Sequence, residues 1–92
     1  MNEPSTTQLR LNPDAVSWRE VDGEILALDL GASAYLGTNA TGALLWKSLA
    51  EGTSRGRLIE LLTAEFEVDE LRAAADVDSF LRGLAAQGLL AA

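Results

Sequence analysis

Two six-residue runs of strand-forming character, Val16 to Val21 and Glu24 to Asp29, stand on either side of Asp22-Gly23. No other feature narrows the fold as much. A two-residue hairpin loop of type I′ needs positive φ at both central positions, and Asp-Gly is among the pairs that adopt it most readily. So short a loop also sets the register: Val21 falls opposite Glu24, Arg19 opposite Leu26, and Ser17 opposite Leu28. One face of the hairpin then carries Val16, Trp18, Ile25 and Ala27. Apolar residues occur on both faces of the second strand, which predicts a central strand covered on both sides.

A third run, Ser33-Ala34-Tyr35-Leu36, lies between Gly31 and Gly37. Its shortness and its place after the hairpin predict the outer strand of a small sheet. Such a strand leaves a row of backbone N–H and C=O groups that another chain can complete, and a peptide lying along it would become an extra strand.

Three helices are predicted next. Asn39 is placed to cap the first, Ala40 to Leu49, which Gly52 terminates. Thr53 or Ser54 caps the second, with Leu58, Leu61, Leu62 and Phe66 as its apolar stripe. Asp69 caps the third, which runs to about Gln87 and stops at Gly88, after which Leu89 and Leu90 fold back as an apolar anchor. Strands followed by helices make an α+β domain of winged helix-turn-helix type, a three-stranded antiparallel sheet followed by three helices. Residues 1–13 are polar and aperiodic and are read as a flexible tail, although Leu9 and Leu11 alternate in a way that would add a short strand or dock. The domain is residues 14–92.

At about 100° per residue, Leu71, Ala74, Val77, Leu81, Leu84 and Ala85 are predicted for the inner face of the third helix. Asp69, Ala73, Asp76 and Phe80 fall along one border of that face. There Ala73 would leave a depression, Phe80 would form an apolar wall, and the two aspartates would rim it. An ordinary amphipathic helix with solvated acids has the same spacing. What singles out the border is its combination with a short, unprotected strand.

Ninety-two residues suffice for one domain with a modest core. The absence of cysteine and histidine excludes disulfides, thiolate zinc sites, thiol nucleophiles and the usual general base. Lys47 is the only lysine, and Asp76 and Asp78, two apart on a helix, point in different directions. The chain is therefore not expected to be an enzyme or to hold a cofactor or metal. Glu65, Glu67, Asp69 and Glu70 read as a solvated helix junction.

A net charge of −7 repels phosphate backbones and anionic lipid and favours a cationic peptide. The last helix sets Asp69, Glu70, Asp76 and Asp78 against only Arg72 and Arg82, which argues against nucleic acid. No signal-like N-terminus and no apolar stretch near the ~20 residues of a spanning helix is present, so no membrane role and a cytoplasmic location are expected. Trp18 and Trp46, beside leucines at strand and helix spacing, are expected in the core. Tyr35 fits either a structural place with its hydroxyl in water or the border of a cleft.

The segment Trp18 to Leu30, then Tyr35, then Asn39-Ala40-Thr41-Gly42-Ala43-Leu44-Leu45-Trp46, resembles the PqqD-like family, the recognition elements that bind leader peptides of ribosomally made precursors. The resemblance extends from about Val16 to Leu90, with a departure at Thr38, where a larger aliphatic residue is expected. A free-standing copy of this size is most similar to the recognition subunit of lasso peptide maturation. The resemblance implies that the leader adds antiparallel to the third strand and occupies a cleft beside the third helix. It places strand contacts at Ser33, Ala34, Tyr35, Leu36 and Gly37, and helix contacts at Asp69, Ala73, Asp76, Val77 and Phe80. Leu26 and Leu28 would floor the pocket. The implied partners are the leader, a transglutaminase-like leader peptidase and a lasso cyclase. The other reading keeps the fold and makes the protein a peptide chaperone for a radical-SAM enzyme.

Overall fold

Asp22 and Gly23 take φ of 53° and 80°, and the chain reverses in the two-residue turn that this pair predicts. The computed structural model of the chain describes residues 8–91. Strands β1 (Val16–Val21) and β2 (Glu24–Asp29) pair in the expected register, with Arg19 opposite Leu26 and Ser17 opposite Leu28. Strand β3 (Ala34–Thr38) pairs antiparallel with β2, giving the order β1-β2-β3.

β3 lies later than its expected span of Ser33 to Leu36. The cause is local. Asp29 is buried, and its Oδ1 accepts from the backbone N–H groups of Gly31 at 3.1 Å and Ala32 at 3.2 Å, which wraps the chain into a turn. Ser33 leaves that turn with φ 54°, a left-handed conformation incompatible with a strand. Gly37, expected to bound the strand, is instead paired within it opposite Leu26.

The helices are α1 (Ala40–Glu51), α2 (Arg55–Glu65) and α3 (Glu70–Ala86). Each starts at a polar cap whose side chain accepts from the third residue on: Asn39 from Gly42, Ser54 from Arg57, and Asp69 from Arg72. α1 packs on the sheet, and α3 packs chiefly on α2. Val16, Ile25 and Ala27 of the sheet are buried with Leu45, Trp46 and Leu49 of α1, Leu58 and Leu62 of α2, and Ala73, Val77 and Leu84 of α3. Trp46 is fully buried and meets Trp18 edge to face at 6.1 Å.

The reading of β2 as covered on both faces is corrected: helices cover the Ile25 and Ala27 face, while Leu26 on the other is 45% exposed. Of the stretch 1–13, residues 1–7 lie outside the described residues. Leu9 exchanges backbone hydrogen bonds with Thr53, and buried Leu11 bridges to Leu90. Leu89 is fully buried, and its carbonyl accepts from Asn12 at 2.8 Å. The two ends of the described chain thus close one side of the core.

Candidate functional site

Among the described residues, β3 is paired on one side only. In an antiparallel ladder alternate residues turn their N–H and C=O groups away from the partner, so β3 presents half of its backbone groups outward. Because α3 rests on α2 rather than on β3, a cleft runs between β3 and α3. It consists of two adjoining concavities, of about 340 and 480 Å³, that share Gly37, Thr38 and Phe80. The first is walled by Leu36, Trp46, Ser79 and Gly83, and the second by Asn39, Thr41, Gly42 and Asp76.

Strand alternation decides which side chains enter this cleft. Leu36 pairs opposite Ala27 and shares its face, toward the core and the cleft. Tyr35 pairs opposite Leu28, on the other face, and is 76% exposed. Leu26 and Leu28 therefore do not floor the cleft, as the resemblance implied. They lie on the far side of the sheet.

On α3 the buried row is rotated from the one expected. Ala73, Val77, Phe80 and Leu84 follow one another at steps of four, three and four residues and form a single stripe, with Ala73 and Val77 fully buried. Leu71 is 82% exposed, and Ala85 also faces solvent. Ala73 and Val77 are thus core residues, and the depression assigned to Ala73 is not there. The opening is made by Gly83, one turn after Phe80: a Cβ built on it would meet nothing within 4 Å. A glycine inside a helix costs roughly 1 kcal/mol against alanine, and that cost is the sequence signal that could have pointed to Gly83.

Phe80 and Asp76 line the cleft, Asp76 at its rim with Arg72 at 3.5 Å. Asp69 is absent from the lining; its carboxylate caps α3, accepting from the N–H of Arg72 at 2.8 Å. Away from the cleft, Arg55 of α2 donates to both carboxylate oxygens of Asp78 of α3, at 2.7 and 3.0 Å. Those hydrogen bonds hold the Asp78 carboxyl below the usual carboxylate range and raise the Arg55 guanidinium. At the β3 end, Thr38 Oγ1 and Trp46 Nε1 are buried without a partner. Among the described residues no three acidic side chains come together in a way that could hold a metal ion. No described helix is long and apolar enough to cross a membrane.

A family described as coenzyme PQQ synthesis protein D (PqqD) matches residues 24–90. No curated protein matches at a significant level. Two solved structures are similar. TbiB1 in complex with the TbiA(β) leader peptide has a TM-score of 0.82 and 33% identity, over 88% of this chain and 93% of that one. A lasso peptide synthetase B1 complexed with the leader peptide has a TM-score of 0.78 and 28% identity, over 91% of this chain and 98% of that one.

Proposed function

This chain belongs to the PqqD family, and on that premise we propose that it captures the leader segment of a ribosomally made precursor peptide, of the lasso class, as a fourth strand beside β3. The observation that carries the reading is a β3 edge with no partner strand among the described residues, next to the cleft between β3 and α3. Backbone pairing along Ala34 to Thr38 would supply register, and inward side chains of the leader would pack against Leu36 and Phe80 and into the space above Gly83. Both similar structures are leader complexes and one is a lasso synthetase, which favours this client over a radical-SAM enzyme.

The protein acts without catalysing. It orders the leader and presents it to a leader peptidase, of the transglutaminase-like cysteine protease type, and then to a cyclase. Holding the substrate beside those enzymes raises its effective concentration, which accelerates a reaction with no group of this chain taking part.

The test is calorimetry with the leader of a short precursor sought among the genes neighbouring this chain's, with the TbiA(β) leader peptide in parallel. Gly83→Leu places a side chain in the cleft at an exposed position where helix propensity improves. It should leave the fold intact and weaken binding about tenfold or more, the equivalent of ~1.4 kcal/mol. No binding by the wild type, or full binding by a well-folded Gly83→Leu, overturns the proposal.

A further inference from the structure

A strand added to a sheet presents its side chains alternately to the two faces. If the leader pairs with β3, only one of its rows enters the α3 cleft; the other row lies on the far face of the sheet. We infer that this far row is read as well, and that Leu26, reached across Gly37 and flanked by Tyr35, is a second apolar seat on the bound strand. The inference rests on the strand-addition reading above and deepens it.

The far face is not a scatter of isolated apolar residues, which would need no explanation. Register makes them neighbours: Tyr35 stands opposite Leu28, and Gly37 stands opposite Leu26. Leu26 and Tyr35 are 45% and 76% exposed, although both belong to a sheet whose other face is buried. Two shallow concavities, of about 490 and 240 Å³, meet at Leu26; Gly37 borders the first and Tyr35 the second.

Gly37 is what connects this face to the open edge. A Cβ built there would meet only the Ile25 carbonyl oxygen, at 3.5 Å, an ordinary contact. Crowding therefore does not demand glycine. Its effect is to leave a gap in the outermost strand, through which Leu26 can be touched from the edge. Neighbouring strands lie about 4.8 Å apart, so an incoming strand stands roughly 10 Å from β2. Only a long apolar side chain spans that distance over a glycine. The residue opposite Gly37 is thus aromatic, leucine or methionine, laid across the bare backbone against Leu26, an arrangement in which a large side chain covers a cross-strand glycine.

An alanine scan of the leader used in the binding test above, with the TbiA(β) leader peptide in parallel, tests this by titration calorimetry. With both faces read, positions of both parities are sensitive, including at least one adjacent pair. Leu26→Glu, at a half-exposed position, should weaken binding ~fivefold, the scale of one apolar cross-strand contact with a charge added. It should also remove the sensitivity of the outward row while leaving the inward row unchanged. Gly37→Val, which closes the gap with a strand-favouring residue, should do the same, and melting curves of both variants check the fold. Sensitivity confined to alternate positions, with unchanged affinity in Leu26→Glu and Gly37→Val, overturns the inference. A second copy or a downstream enzyme would then be what uses Leu26. If Gly83→Leu weakens binding while Leu26→Glu leaves it unchanged, the second seat fails and the strand-addition reading stands.

Discussion

Along β1 the outer edge of the sheet carries Arg19 and Glu20, with Glu20 tied at 3.1 Å to Lys47 of α1, whereas β3 carries no charged residue from Ala34 to Thr38. Charge on an edge strand is a common device against pairing with another chain. An exposed ion pair such as Lys47–Glu20 adds little stability, so its placement makes more sense as a guard on the edge than as a brace for the fold. β3 has no such guard and has a cleft beside it instead. On the proposed reading, the sheet has a guarded edge at β1 and a receptive edge at β3.

The largest expected effect concerns what stands behind the receptive side. The stripe Ala73, Val77, Phe80 and Leu84 anchors α3 in the core and holds Phe80 toward β3; if Ala73 reached the cleft instead, the difference between the two edges would rest on a misplaced wall. Ala73→Glu buries an unpaired carboxylate at a fully buried position and should cost about 3–5 kcal/mol in urea unfolding. A loss below ~1 kcal/mol, the level of a surface change, would place Ala73 at the solvent and break the assignment.

This stripe also separates what the chain announces from what it conceals. The hairpin was legible to the residue, because Asp22-Gly23 permits one loop length and that length dictates every pair along β1 and β2. Helix starts were legible too, since Asn39 and Asp69 are short acceptors placed where free amides begin, and of Thr53 and Ser54 it is Ser54 that caps α2. The α3 face was not. Leu71 weighs toward the wrong side because hydrophobicity alone favours burying a leucine over an alanine, yet it is Ala73 that is fully buried and Leu71 that is 82% exposed. β3 starts later than its run suggests because the Asp29 carboxylate accepts from the N–H groups of Gly31 and Ala32, which extends the turn. The cleft was least legible: Thr38 is far in the chain from Phe80 and Gly83, and β3 meets α3 across the cleft only through the docking of α3 on α2.

A smaller effect sharpens the comparison at the end of β3. Thr38 Oγ1 is buried without a hydrogen-bond partner, and among the described residues β1 has no side chain in that state. An unpaired hydroxyl out of water destabilises, so Thr38→Val, which keeps the shape, should stabilise the free protein by ~1 kcal/mol. For a domain of this size that is ~4–8 °C in melting temperature. A lowered melting temperature would mean that the hydroxyl finds a partner after all, and that the receptive edge carries no such local cost.

The smallest effects come from exchanging the character of the two edges. Tyr35→Lys gives β3 the kind of charge that β1 has, on a side chain exposed enough to leave the core untouched. Leader affinity should fall by ~0.2–1 kcal/mol, the scale of one cross-strand pair. Arg19→Thr with Glu20→Thr removes the guard from β1 and the tie to Lys47. That double variant should self-associate more than the wild type in sedimentation, at unchanged leader affinity, because the newly bared edge lacks a cleft. Excess leader peptide then discriminates between the edges. It covers β3 and leaves β1 free, so the added association should persist with leader bound. If the leader dissolves it, the extra contact runs through β3, and the charges on β1 are not what closes that side of the sheet.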